Sequence, residues 1–284
     1  LGNVNLTWDL TKDLKFLVRS GITTNTIFTD RKTPYSFIYY GTGASPLGNY
    51  SLEKENNFQV ISDAMLTYNK TFFENWSITA SAGGSHRFNG NDFVSSRTNG
   101  LNIPGYYNLS NSISPVQTNN RLIEKEVSSA YGYADIGYKH MIYLGVTGRN
   151  DWTSTLQKPY NSFFYPSVSL GVVVSEMVKL PSWFDYLKLR GSWANVSTDT
   201  DPYYTIPKYD TYNRWNGTLS LRRPGSLVTP DIRPNKTIST EYGTELKFFQ
   251  NRLGIDLAYF NYNQSNFIVE APVSEASGFD SKIV

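Results

Sequence analysis

The stretch "TELKFFQNRLGIDLAYF", residues 244–260, holds two alternating runs separated by a polar break. Leu246 and Phe248 share one phase, and Glu245 and Lys247 the other. Beyond Gln250 and Asn251, the residues Leu253, Ile255, Leu257 and Tyr259 share a phase, with Gly254, Asp256 and Ala258 between them. A period of two predicts two strands joined by a tight turn. What the apolar phase touches then decides the fold.

About ten such runs follow one another along the chain. Val4, Leu6 and Trp8 form the first, and Leu14, Phe16, Val18 and Ile22 the second, opposite Lys15 and Arg19. Later runs carry Ala64, Leu66 and Tyr68; Trp76, Ile78 and Ala80; Ala134, Ile136 and Tyr138; and Ile142, Leu144 and Val146. Val168, Leu170 and Val172, then Leu187, Leu189 and Trp193, then Ile238, Tyr242, Leu246 and Phe248 precede the final run. No Lys, Arg, Asp or Glu falls on the apolar phase. The opposite phase carries Lys15, Arg19, Asp63, Asp135, Arg149, Lys188, Arg190, Glu241, Glu245 and Asp256.

Alternation alone also suits a soluble sandwich. The connections discriminate better. Short ones are expected near 9–13, 69–75, 139–140 and 249–252, and long ones near 24–57, 87–128 and 197–236. Short turns at one end and long loops at the other are the pattern of an outer-membrane barrel. Trp8, Tyr68, Trp76, Tyr138 and Phe248 sit on the apolar phase beside short turns, which predicts an aromatic girdle at one level. The fold class expected is therefore all-β: an antiparallel transmembrane β-barrel, with the apolar phase in lipid and the charged phase lining an enclosed lumen.

Bulk properties narrow the function. A net charge of +2 argues against nucleic acid as a partner. The absence of Cys excludes disulfide scaffolds and thiol chemistry. Mean hydropathy is −0.39, and no apolar run is long enough for a spanning helix. The chain opens inside an alternating run and stops without a cap, so it reads as a segment of a longer protein.

Four segments resemble the barrel of SusC-type TonB-dependent outer-membrane transporters of Bacteroidetes. They are "SSAYGYADIGYKHMIYLGVTGRNDWTSTL" (128–156), "FFYPSVSLGVVVSE" (163–176), "WFDYLKLRGSWANVSTDTDPY" (183–203) and "NKTISTEYGTELKFFQNRLGIDLAYFNYNQSNFIV" (235–269). Their order and spacing also match that family, while residues 1–125 carry weaker motifs. The resemblance implies a barrel of about 22 strands around a plug. It implies a SusD-like surface lipoprotein as lid, energy from TonB–ExbB–ExbD, and import of oligosaccharides of the starch or maltooligosaccharide kind, or of oligopeptides. Membrane lipid and lipopolysaccharide are the expected surroundings. Residues 1–284 are read as part of one barrel domain, with the plug and the TonB-contacting segment outside them. No cofactor is implied.

Candidate binding residues cluster in the loop "DPYYTIPKYDTYNRWNG", 201–217, with Tyr203, Tyr204, Tyr209, Tyr212 and Trp215. Such rings offer rigid contact area for sugar faces or peptides, and they also pack loops or meet a partner lid. Tyr39 and Tyr40 stand similarly in the first long loop. Arg149 with Asp151, and Arg190, Glu241 and Glu245, are expected as polar residues of the lumen wall. Asp199 and Asp201 lack the ordered oxygen ligands of a Ca²⁺ loop. His86 and His140 have no metal-spaced partner, no nucleophile elbow surrounds any Ser, and catalysis is not expected. Residues 175–188, "SEMVKLPSWFDYLK", repeat apolar residues at helical spacing and predict a short amphipathic turn. Rival readings are a complete ten-stranded passive pore or barrel-resident hydrolase, and a soluble sugar-binding β-domain.

Overall fold

The computed structural model describes residues 1–284 except 40–42, 46, 217 and 230, and for 37–39, 43–45 and 212–214 it describes the backbone. In chain order the strands are β1 (Gly2–Asp9), β2 (Leu14–Thr33), β3 (Phe37–Tyr39), β4 (Gly43–Ser45), β5 (Asn49–Phe72) and β6 (Trp76–Arg97). Next come β7 (Gln117–Tyr138), β8 (Ile142–Thr153), β9 (Ser162–Val173), β10 (Phe184–Thr198), β11 (Asp210–Trp215) and β12 (Thr218–Arg222). The last are β13 (Ser226–Val228), β14 (Asn235–Phe248), β15 (Leu253–Ser265), β16 (Glu270–Pro272) and β17 (Ser281–Ile283). A ten-stranded sheet takes the order β1-β2-β5-β6-β7-β8-β9-β10-β14-β15, so each long strand pairs with the next. Three small sheets, β3-β4, β11-β12 and β13-β17-β16, lie in the long connections.

The tight turns explain this meander. Phe73 and Glu74 hold φ of 49° and 60°, and Lys139 and His140 hold 49° and 59°. Two central residues with positive φ give the turn whose twist matches paired strands. Asn75 N donates to Phe72 O at 3.2 Å, and Met141 N to Tyr138 O at 2.8 Å, closing both turns.

Two expectations are corrected. The connections placed at 24–57 and 87–128 are shorter, because β2 runs on to Thr33, β5 starts at Asn49, β6 ends at Arg97 and β7 starts at Gln117. These strands hold 20, 24, 22 and 22 residues, about twice what a bilayer crossing takes. Past the hydrocarbon a strand needs no apolar phase, and its alternation fades from the sequence. The amphipathic turn at 175–188 also differs. It holds a single 3₁₀ turn at Val174–Glu176, and Phe184 and Leu187 belong to β10. Pro181 has no N–H to continue a helix and disfavours helical backbone before it.

The backbone divides into two units. The first comprises Leu1–Val4, Ser20–Ile61 and Arg87–Lys125. Its strands are tied by polar side chains: Thr26 to Asn56 at 2.9 Å, Gln59 to Asn89 at 2.6 Å, and Asn91 to both Glu55 and Asn57 at 2.6 Å. Leu101 and Thr98 are buried there, pinned by Leu101 N to Leu47 O at 3.0 Å and Thr98 N to Tyr50 O at 2.9 Å.

The second unit, Asn5–Arg19, Ser62–His86 and Glu126–Val284, displays two opposed faces. Directly paired residues share a face. One row runs Ile136, Leu144, Leu170, Gly191, Tyr242, Tyr259 from β7 to β15. The adjacent row runs Asp135, Gly145, Ser169, Ser192, Glu241, Phe260 on the other face. Val146, Val168, Leu170, Leu189 and Leu257 are exposed, with no second layer over them among the described residues. A water-facing sheet would not spend five large aliphatics this way.

This asymmetry fixes an outcome for neighbouring residues of β8. Val146→Arg places a charge on the apolar face and costs about 2–4 kcal/mol in a bilayer. Thr147→Arg, on the polar face, costs under about 1 kcal/mol. Chemical denaturation of the full-length protein in lipid vesicles measures both, and equal costs would remove the distinction between the faces.

Candidate functional site

The polar face of the second unit is a wall of paired charges. Arg149 Nε donates to Asp151 Oδ1 at 2.7 Å, and its Nη2 to Ser129 Oγ at 2.8 Å. Tyr165 OH donates to the other Asp151 oxygen at 2.5 Å, and the Arg149 guanidinium lies 5.9 Å from the Tyr131 ring centroid. Strand register builds this group, since Arg149 is opposite both Tyr131 and Tyr165, and Ser129 opposite Asp151. Asp151 is 8% exposed, so its charge depends on these donors. Arg19 Nε meets Asp63 Oδ2 at 2.8 Å in the same manner.

Arg190 reaches across a whole strand. It grips Asp256 of β15 through two bonds, of 3.1 and 2.9 Å, and lies 3.7 Å from Glu241. Between β10 and β15 stands β14, where Gly243 pairs with Arg190. A Cβ at 243 would sit 2.9 Å from Arg190 Cγ and closer still to its Nε. With no side chain at 243, the Arg190 side chain has room to lie flat across β14. Lys247 Nζ meets Glu245 at 3.2 Å. Beside Arg190, the residues Asp135, Tyr143, Lys188 and Glu241 border a depression of about 430 Å³ whose floor is Gly137, Gly145, Gly171 and Ser169.

The long-loop end has its own core. Leu156, Ile232 and Ile283 are buried together, with Phe163, Tyr204, Val228 and Ile268 packed against them. Ser226 and Ser281 hydroxyls both donate to Glu270 Oε1 and hold its carboxyl below the ordinary glutamate range. Of the aromatic candidates, Tyr204 faces this core, while Tyr203, Tyr209 and Trp215 are 42%, 68% and 82% exposed. Tyr40 and the side chains of Tyr39 and Tyr212 lie outside the described residues.

At the short-turn end the rings of Trp76 and Tyr138 stand 4.6 Å apart. Phe248 stacks with Phe184 at 4.8 Å and with Trp183 at 5.9 Å. Trp8 is exposed on β1, and Tyr68 lies on β5 four residues from its end. Trp183 and Phe184 are not among the aromatic residues expected at this end, because the helical spacing of 175–188 hides the start of β10. Tyr165 and Ser129 were likewise missed beside Arg149 and Asp151. Their signal was the odd-numbered phase they share with those residues on adjacent runs.

The two charge groups differ in burial and should differ in weight. Asp151→Asn weakens the acceptor for Arg149 and costs about 1–3 kcal/mol. Asp256→Asn, at a solvent-screened pair, costs less. Thermal melts of the purified full-length protein in detergent rank the two, and an equal or reversed ranking would contradict the burial argument.

Known proteins share this architecture. The sequence profile described as "TonB dependent receptor-like, beta-barrel" matches residues 1–281. TonB-dependent receptor P3 of Formosa agariphila is 25% identical over 249 residues, covering 85% of this chain and 25% of its own length. TonB-dependent receptor P39 of the same organism is 24% identical over 246 residues, covering 82% and 22%. The chain thus spans about a quarter of the length of these curated relatives. Among solved structures, the RagAB peptide transporter matches with a TM-score of 0.86 at 19% identity, over 99% of this chain and 32% of its own. The siderophore receptor PiuA from Acinetobacter baumannii gives 0.51 at 13%, over 99% and 41%. With an uncharged apolar face, a charge-paired polar face and a matching profile from residue 1 to 281, the chain belongs to the TonB-dependent receptor β-barrel family of the outer membrane.

Proposed function

We propose that the chain is barrel wall of a SusC-type importer that takes up glycan oligosaccharides of the maltooligosaccharide kind. In this reading residues 1–284 are part of one barrel domain, and the plug and TonB-contacting segment lie elsewhere in the protein. TonB–ExbB–ExbD supplies the energy, a SusD-like surface lipoprotein closes the outer mouth, and the chain itself performs no catalysis. The observation that carries the substrate class is the exposure of Tyr203, Tyr209 and Trp215 at the long-loop end. Exposed rings stack on the apolar faces of pyranose sugars, and they lose little entropy doing so. The aromatic residues of the short-turn end, Trp8, Tyr68, Trp76, Tyr138 and Phe248, act as the interfacial girdle. Arg149, Asp151, Arg190, Glu241 and Glu245 face the lumen.

A second substrate class, oligopeptides, is favoured by a different observation. The polar face carries both signs of charge around one depression, with Asp135 and Glu241 near Lys188 and Arg190. A peptide offers charged partners to both, whereas a neutral glycan offers none. The RagAB structure is that of a peptide transporter.

Isothermal titration of the full transporter with its lid, against maltoheptaose and against a set of oligopeptides, separates the two. The glycan reading expects maltoheptaose to bind, and Trp215→Ala and Tyr209→Ala each to weaken it by about tenfold, the equivalent of about 1.4 kcal/mol. Peptide binding with no maltoheptaose binding would replace it.

A further inference from the structure

On the polar face of the second unit, Arg149 pairs with Asp151, Lys247 with Glu245, and Arg190 with Asp256 and Glu241. Asp135 of β7 and Lys188 of β10 are different. Among the described residues neither takes part in an ion pair or a hydrogen bond, and both border the depression of about 430 Å³.

Lys188 has a carboxylate in its own register and turns away from it. Glu245 stands directly opposite on β14, but it is held by Lys247 at 3.2 Å. The Lys188 side chain leans over β9 instead, where a Cβ at Gly171 would lie 3.7 Å from its Cε. Asp135 leans into the same depression from the far side. A Cβ at Gly145 of β8 would lie 3.1 Å from its Oδ1. Arg190 cannot serve Asp135, because its guanidinium is committed to Asp256 through two bonds. An anion and a cation are thus left as two poles, each extended over a glycine.

The distance between the poles follows from the ladder. Gly145 pairs with Ser169, two residues from Gly171 on the adjacent strand. At about 4.8 Å between strands and about 3.3 Å per residue, the two glycines stand about 8 Å apart. Extended peptide covers about 3.5 Å per residue, so two or three residues reach from pole to pole. The floor has no side chain at 137, 145 or 171, and glycine inside a strand marks a place where a guest or another backbone comes close. Tyr143 walls one side, its ring 3.6 Å from where a Cβ at Gly137 would lie, and Ser169 and Ser192 supply hydroxyls. A neutral sugar satisfies neither pole, and a simple anion satisfies only Lys188. A zwitterion satisfies both.

We propose that this depression is a binding site for a short peptide, with Asp135 taking the α-ammonium group and Lys188 the α-carboxylate. The proposal rests on the oligopeptide reading given above and adds which two side chains hold the cargo and what length fits between them.

Isothermal titration of the full transporter with its lid tests it with trialanine, N-acetyl-trialanine and trialanine amide. The wild type should bind trialanine about tenfold more tightly than either blocked form. Lys188→Met should bind acid and amide alike and still prefer the free amine. Asp135→Asn should bind the acetylated and free amine forms alike and still prefer the free acid. Gly171→Leu fills the depression, and its Cβ meets only ordinary contacts. It should weaken trialanine binding by about tenfold or more with an unchanged melting temperature. Equal affinities of the three peptides for the wild type, preferences that survive both charge variants, or unweakened binding in Gly171→Leu each overturn the site. The charge variants decide the matter alone if Gly171→Leu melts early. Binding of longer oligopeptides without trialanine overturns the site and leaves the oligopeptide reading standing. Binding of no peptide at all overturns both.

Discussion

The constraint on which the rest depends is that hydrocarbon offers no hydrogen bonds. Every backbone N–H and C=O of a spanning strand must find its partner on a neighbouring strand. β8 shows the consequence: each residue from Ile142 to Trp152 has one partner on β7 and one on β9. Tight turns with positive φ make successive strands neighbours, so the pairing follows chain order. Once the ladder is fixed, side chains have two destinations. The apolar phase is left to meet acyl chains, and within the alternating stretches of β7 to β10, β14 and β15 the charges, such as Asp135, Arg149, Arg190, Glu241 and Asp256, go to the other face.

Gathering all charge on one face creates its own demands. Arg149 and Asp151 meet it by mutual pairing, reinforced by Ser129 and Tyr165. Arg190 meets it by crossing Gly243 to Asp256, a contact that ties three strands together. Small residues under Asp135, Lys188 and Glu241 leave the face recessed between these groups. The same face is therefore braced by its ion pairs and recessed between them. Beyond the apolar stretches the rules relax: in the first unit Asn, Gln and Thr side chains tie the strands, and in the second a small apolar core organises the loops.

Much of this was legible in the residues. The alternation from Ile142 to Val146 and from Leu253 to Tyr259 names the strands and their faces, because lipid tolerates no charge in that phase. The pairing of Arg149 with Asp151 follows from two residues on one side of one strand. Other features left little trace. β2 and β5 continue far past their apolar phases, and solvent asks nothing periodic of a strand's two faces. Trp183 and Phe184, which stack on Phe248, were masked by a helical spacing that Pro181 forbids. The partner of Arg190 lies on β15, and only register shows that Gly243 clears the way to Asp256. The double acceptor role of Asp199 was also hidden, since its donors Thr153 and Thr155 lie more than forty residues away in sequence and meet it only in the fold.

The central claim is that one face of this sheet meets lipid and the other does not. The chain has no native cysteine, so single thiols introduced from 142 to 152 each report one position within it. Spin labels attached there, in the full transporter reconstituted in bilayers, can be probed with oxygen and with a water-soluble nickel chelate. The account predicts oxygen-dominated relaxation at 142, 144 and 146, and its loss at 143, 145 and 147. Equal access of the nickel chelate to both sets would contradict it.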